Sequence, residues 1–348
     1  MAKNTTSATS AQSGNHVTVK PSQFKDVLAF CDKAGLVAFV MSPPGVGKSD
    51  LIRQYAEETK RRYYDIRLAY SAPTDLQGFP YIDRENNRMK FSLPNWFPTE
   101  PGNVLALEEF SCASKMVQNG SLQLTLDRRI GDHVLPENTL TVLAGNGASH
   151  RVHVERLSSA VANRIMFIHL VPDLDDWTEW ALAAGVDVRL VAFLRFRPDL
   201  LHSFDPAKWD GETGFATPRS WAAAARLVAS EPPAYLRHPM LEGLVGPGPA
   251  AELNAFLTIY EQLPSIDGIL LDPKGSDVPE EPSARYAVCA ALANKAEKGN
   301  FNRVTTYLGR LPKEFEVFGV RLTVRTKKEV LSSKDFITWA VDNKDVML

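Results

Sequence analysis

The segment Ser42-Pro43-Pro44-Gly45-Val46-Gly47-Lys48-Ser49 constrains this chain more than any other. It follows a short apolar run, residues 36–41, that reads as a buried parallel strand. It precedes residues 49–60, which place Leu51, Ile52 and Tyr55 on one face of a helix. A strand, a glycine-rich loop, a Lys-Ser pair and a helix, in that order, build a cradle for an anion. Glycines at 45 and 47 let main-chain N–H groups turn inward with no Cβ in the way, and the helix start aims the positive end of its dipole at the same point. The expected phosphate-binding residues are Pro44, Gly45, Val46, Gly47, Lys48, Ser49 and Asp50. Lys48 would pair with the β- and γ-phosphates of a nucleotide, and the Ser49 hydroxyl would ligate Mg²⁺. Ser42 stands where the first glycine of the strict pattern is usual; serine is small and compatible with a turn, so the loop is expected to form.

Alternation of strands and helices continues beyond this loop. Residues 63–68, 104–107, 139–144 and 165–170 read as strands and residues 115–126 and 158–163 as helices, which predicts an α/β parallel sheet covered on both faces. Residues 71–101 shift to Pro, Asn and Gly and read as loop with a small hairpin, while residues 128–138 carry hairpin chemistry with Gly131-Asp132 near the apex. After Pro172 the pattern turns helical, over residues 176–184, 186–196, 220–229, 250–263 and 283–298. Pro232-Pro233 and Gly246-Pro247-Gly248-Pro249 read as punctuation, and residues 272–282 as a polar loop. The expected organisation is a disordered N-terminus over 1–20, an α/β core over 21–172, a helical lid over 173–235 with Trp177 and Trp180 in its core, and a mainly helical extension over 236–348.

Composition narrows the class of function. Hydrophobic residues at 44% are enough for a substantial core, and a net charge of −2 lacks the basic footprint of sequence-independent nucleic-acid binding. That argues against a nucleic-acid partner without excluding a local basic patch. Lys60-Arg61-Arg62 and Arg325-Thr326-Lys327-Lys328 read as solvated faces. Cys31, Cys112 and Cys289 are odd in number and far apart, as in a reducing compartment. No stretch approaches the roughly 18 uninterrupted apolar residues of a membrane span, and residues 1–16 lack the apolar run of a signal peptide, so a cytoplasmic protein with no membrane partner is expected. No cysteine or acidic cluster accompanies His150 and His153 to make them a zinc site.

A second chemical feature follows the strand at 104–107. Glu108 and Glu109 end it, and phosphoryl transfer needs one carboxylate on the metal and one group orienting the attacking water. Glu108 takes the metal role and Glu109 the water role in this reading. Aspartate is usual at the first position; Glu108 is one methylene longer, which bears on metal affinity and turnover.

The order of these motifs resembles that of the MoxR-type AAA+ ATPases, in particular their bacterial and phage branch. The resemblance rests on the loop at 42–49, on Thr74-Asp75-Leu76-Gln77-Gly78-Phe79-Pro80, on Glu108-Glu109 and on the hairpin at 126–138. It continues through Ala144-Gly145-Asn146, Leu157-Ser158-Ser159-Ala160 with Asn163-Arg164, and Thr217-Pro218-Arg219-Ser220-Trp221. It spans about residues 22–230 and extends more weakly through 243–257 and 311–317. The fold it implies is a P-loop NTPase (AAA+) α/β core with a C-terminal all-helical lid and helical extension. By this likeness Asn146 looks like the first sensor, Arg164 like the arginine finger offered to a neighbouring subunit's nucleotide, and Arg219 like the second sensor in the lid. The plainer alternatives are a strand-end turn for Asn146, a surface salt bridge for Arg164 and an ordinary exposed side chain for Arg219. The hairpin, with Arg128 and Arg129, would face a central pore or a subunit interface.

The resemblance further implies ATP and Mg²⁺, ATP hydrolysis, a homo-oligomeric and hexameric ring, a partner with a von Willebrand factor A domain, and chaperone-like remodelling of a protein client. Two rivals stand beside it. One is a nucleotide-gated assembly module with slow or no hydrolysis, motivated by Glu108 and Ser42; the other is a DNA-associated AAA+ protein such as a helicase loader.

Overall fold

The computed structural model describes residues 17–147, 157 and 162–344. Residues 1–16, His150, His153, Ser158-Ser159-Ala160 and most of the helix expected over 158–163 therefore lie outside the described residues. The chain divides into two units, residues 1–43 with 48–171, and residues 44–47 with 172–348.

In chain order the first unit contains β1 (Thr18–Val19), α1 (Pro21–Ala34), β2 (Ala38–Ser42), α2 (Lys48–Glu58), β3 (Arg62–Arg67), α3 (Pro73–Gln77), β4 (Pro80–Asp83) and β5 (Arg88–Phe91). It continues with β6 (Asn103–Glu108), α4 (Lys115–Leu126), β7 (Arg129–Ile130), β8 (His133–Val134), β9 (Leu140–Asn146) and β10 (Met166–Leu170). Among the described residues, six strands form one sheet in the order β1-β10-β2-β9-β6-β3, and every neighbouring pair is parallel. This is an α/β fold of P-loop type, with the loop-bearing strand β2 between two strands that come much later in the chain. Burial explains the apolar runs: every residue of β6 is buried, as parallel strands covered on both faces require. Phe39, Leu105, Leu107, Phe110 and Leu143 pack in one cluster, with Phe39 and Phe110 edge to face at 5.5 Å between ring centres.

Two local features depart from the sequence reading. Thr18–Val19, inside the stretch expected to be disordered, pairs with His169 and Leu170 as an edge strand. Its residues carry no apolar run, and the partner that orders them lies far along the chain. Within the expected loop at 71–101, Pro73–Gln77 forms one helical turn, opened by Pro73 and by Asp75 accepting the Ala72 N–H at 2.8 Å. The two hairpins, β4–β5 and β7–β8, are antiparallel as expected.

The second unit is helical: α5 (Leu174–Ala183), α6 (Val188–Phe196), α7 (Pro218–Ala229), α8 (Ala234–Val245), α9 (Pro247–Glu261), α10 (Ile266–Leu271), α11 (Pro282–Lys295), α12 (Phe301–Leu308), α13 (Lys313–Thr326) and α14 (Lys334–Asp342). The expected division between residues 235 and 236 falls inside α8. One apolar cluster runs from Trp177 through Trp221 and Phe256 to Leu322, so lid and extension share a core. Pro239 inside α8 masked that helix in the sequence. The Gly-Pro-Gly-Pro run separates α8 from α9 at Gly246, and Pro247 and Pro249 lie in the first turn of α9, where the missing N–H groups have no intrahelical acceptor to lose. Trp177 is 6% exposed, but Trp180, expected beside it in the core, is 40% exposed. Among the described residues no helix is long and apolar enough to cross a membrane.

Trp221 anchors this second core. It is fully buried, packs on Phe193 at 5.5 Å between ring centres, and donates its indole N–H to the Leu200 carbonyl at 2.7 Å. Trp221→Phe keeps the aromatic contact but leaves that carbonyl unpaired. A loss of about 1–3 kcal/mol in urea-unfolding stability is expected; an unchanged midpoint contradicts the anchoring role.

Candidate phosphate-binding site

β2 ends in the loop because the residues after Ser42 cannot continue a strand. Gly45 and Gly47 adopt φ of +74° and +103°, a region open to glycine at little cost. A Cβ on Gly45 would also lie 2.5 Å from the Thr217 hydroxyl oxygen, within the second unit. Ser42, standing where a glycine is usual, is a buried strand residue and needs no such freedom. Its hydroxyl donates to the Pro43 carbonyl at 2.7 Å and accepts from Lys48 Nζ at 2.9 Å.

The sheet register completes the arrangement. Ser42 pairs with Asn146 across β2 and β9, and Lys48 Nζ donates to Asn146 Oδ1 at 2.9 Å. β6 is the next strand outward, and its last residue is Glu108, 6% exposed. Glu108 Oε1 is buried with no hydrogen-bond partner. Burial pushes the Glu108 carboxyl above the usual carboxylate range, opposed by the Ser49 hydroxyl within hydrogen-bonding reach and by the Lys48 charge, and reinforced by Asp65 and Glu109. Glu109 follows in a left-handed conformation, φ +56°, and is only partly buried. Three adjacent strands thus end with Asn146, Lys48, Ser49 and Glu108 together at their carboxyl edge, where open α/β sheets bind ligands.

The donor set fits the metal that phosphoryl transfer implies. An unpartnered buried carboxylate oxygen beside a serine hydroxyl offers hard oxygen ligands, as Mg²⁺ prefers. Ser49 and Glu108 would hold it.

Val46 is buried and Asp50 exposed in the first turn of α2. Arg164 is exposed, two residues before Met166, which pairs with Ala38 at the start of β2. Ala38 and Ser42 are separated by about 13 Å at the usual strand rise, so Arg164 belongs to the opposite edge of the sheet and does not reach its own chain's loop. In the second unit Arg219 is exposed in the first turn of α7, and its backbone N–H donates to the Gly45 carbonyl at 3.1 Å. His202 Nε2 lies 3.2 Å from the Pro44 carbonyl oxygen, and burial holds the imidazole pKa below its usual value. Arg128 braces its own hairpin, donating to the Thr139 and Pro136 carbonyls at 3.1 Å each. His202 and Ser111, whose hydroxyl accepts the Asn146 N–H at 3.0 Å, were not legible in the sequence, because each is placed by contacts far along the chain.

No family model and no curated relative matches the chain. Among solved structures it is similar to NtrX from Brucella abortus in complex with ADP, at 12% identity and a TM-score of 0.39, over 94% of this chain and 68% of that one. It is also similar to a RuvB mutant from Thermotoga maritima, at 16% identity and a TM-score of 0.37, over 85% of each chain. Likenesses this distant carry nothing about substrate or partner, and the site stands on its own geometry.

Glu108 gives a stability prediction. Because the fold raises its pKa, the folded protein holds this proton more tightly than the unfolded chain. Stability is therefore lost as pH rises from the ordinary carboxylate value through the raised one. Glu108→Gln removes the buried charge, so it should be more stable than wild type at neutral pH by roughly 0.5–2 kcal/mol. The advantage should shrink as pH falls through the raised pKa. Chemical unfolding across a series of acidic to neutral pH values checks this; a variant less stable at every pH refutes it.

Proposed function

We propose that this chain binds ATP with Mg²⁺ and hydrolyses it as one subunit of a homo-oligomeric AAA+ ring of MoxR type, remodelling a protein client. The observation that carries the reading is the meeting of Lys48, Ser49, Glu108 and Asn146 at the carboxyl ends of β2, β6 and β9.

In this reading the main-chain N–H groups of the loop and the Lys48 ammonium hold the phosphate oxygens, exchanging neutral acceptors for anionic ones. Ser49 and Glu108 would hold Mg²⁺, which would supply charge neutralisation on the phosphates. Glu109 accepts the proton of the attacking water, and the Asn146 amide orients that water from the end of β9. The left-handed turn at Glu109 separates the tasks of the two acids: one carboxyl group is buried at the strand end and the next residue is only partly buried. Arg164, on the opposite edge of its own sheet, serves a neighbouring copy; such a residue supplies roughly 10³–10⁵ in rate. The Arg219 N–H donates to the Gly45 carbonyl within the second unit, and its guanidinium follows the γ-phosphate in this reading. The six-membered ring, the von Willebrand factor A partner and the protein client rest on the motif resemblance.

A nucleotide-gated module with slow turnover is the second reading, and Glu108 favours it. The longer carboxylate is strongly desolvated, and the charge it must carry on a metal is held back by its raised pKa. A large gain in turnover for Glu108→Asp at unchanged nucleotide affinity would support it.

Lys48→Ala should abolish nucleotide binding, whereas Glu109→Gln and Arg164→Ala should bind ATP like wild type and lose at least about 10³ in turnover. Mixing the last two variants tests the trans assignment. Interfaces that join an intact Glu109 to a neighbour's intact Arg164 should regain turnover. Undiminished hydrolysis in Lys48→Ala, or no recovery on mixing, contradicts the proposal.

A further inference from the structure

We infer that Ser111 is the positioning residue for Asn146, a role that rests on the ATPase reading above and assigns the part that makes its water-orienting amide rigid. The need for such a part follows from the sheet. β6 pairs with β9 from Val104–Leu140 through Leu107–Leu143, and no pairing between them continues beyond that point. β6 leaves the ladder because Glu109 turns it in a left-handed conformation, the same turn that presents the two acids. On its other side β9 stays paired with β2 through Ser42–Asn146. The Asn146 N–H faces the side that β6 has abandoned, and a buried N–H without an acceptor is costly.

Ser111 supplies that acceptor. It sits in a short 3-10 turn, Phe110–Cys112, directly after the acids, is 3% exposed, and its hydroxyl oxygen accepts the Asn146 N–H at 3.0 Å. The serine thus continues by side chain the ladder that β6 ends by backbone. Gly145 makes the approach possible, since a Cβ there would lie 2.7 Å from the Ser111 oxygen and 3.0 Å from the Phe39 ring. The turn itself is firmly mounted. Buried Gln118 on α4 donates to the carbonyls of Phe110 and Ala113 at 3.1 and 3.2 Å, and Phe110 is fully buried against Phe39. The chain of contacts runs from the acid turn through Ser111 to Asn146 and on to Lys48. A shift of the Glu108–Glu109 turn is therefore transmitted to the amide. Ser111 touches no phosphate in this scheme; it acts through Asn146.

The experiment measures ATP turnover and nucleotide affinity for wild type, Ser111→Ala, Asn146→Ala and the double variant. Ser111→Ala should lower kcat by about 10- to 100-fold, the scale of a misplaced group, with ATP affinity within about twofold of wild type, as expected when only a step after binding is impaired. The double variant should be no slower than Asn146→Ala alone, because the serine has no other route to the reaction. Ser111→Thr, which keeps the acceptor oxygen, should retain more turnover than Ser111→Val, which has the same shape without it. That pair also makes the comparison if Ser111→Ala proves unstable. Multiplicative losses in the double variant, a parallel loss of affinity, or equal turnover for Ser111→Thr and Ser111→Val would overturn the assignment while leaving the ATPase reading intact. A wild type without turnover would remove both.

Discussion

The parallel register between β2 and β9 is the constraint on which the site depends. It sets Ser42 opposite Asn146, so that a lysine from the first turn of α2 finds two oxygen acceptors at 2.9 Å from two different strands. A slip of one residue would send the Asn146 side chain to the other face of the sheet and remove the amide from Lys48. Register of this kind is held by burial. β2 and β9 are buried along nearly their whole length, and Phe39, Leu143 and Phe110 lock them against β6 and the turn that follows it. The core therefore specifies the placement of the polar ends as well as its own stability.

At those ends the structure accepts local cost. Glu108 keeps a buried oxygen without a protein partner, and Glu109 adopts a backbone conformation unusual for a side-chain-bearing residue. Both costs fall on adjacent residues at the strand end that faces the loop, where a cation and a triphosphate would offset them. The surrounding elements over-determine this strain. Gln118 pins the next turn, Ser111 takes up the N–H that the turn leaves behind, and Gly145 opens the space for it. Within the second unit, the Arg219 N–H and the His202 ring hold the Gly45 and Pro44 carbonyls.

How much of this was legible depended on the distance over which each signal acts. The loop at 42–49, the acids 108–109 and the hairpin at 128–138 announce themselves through residues adjacent in sequence, and the strands around them are apolar runs recognisable by burial alone. Thr18–Val19 carries no such signal, because its order comes wholly from His169 and Leu170. In the second unit, the stretch 246–249 is punctuation as expected, since Gly246 at φ +87° ends α8 and caps the start of α9. What the residue identities did not show is that Pro247 and Pro249 belong to the first turn of the next helix. Pro239 likewise hid α8, and with it the fact that lid and extension share one apolar core.

By itself the sequence determined that the chain carries a glycine-rich loop between a buried strand and a helix, followed by two acids at the end of another buried strand. Glycine freedom, helix dipole and apolar periodicity are properties of neighbouring residues. Only the tertiary structure decided which side chains meet there. Asn146 and Lys48 are 98 residues apart, and Ser111 and Asn146 are 35 apart. Arg164 falls at the far edge because parallel pairing sets Met166 beside Ala38. Strand order and register are collective results of packing the sheet, and no local stretch of chain encodes them.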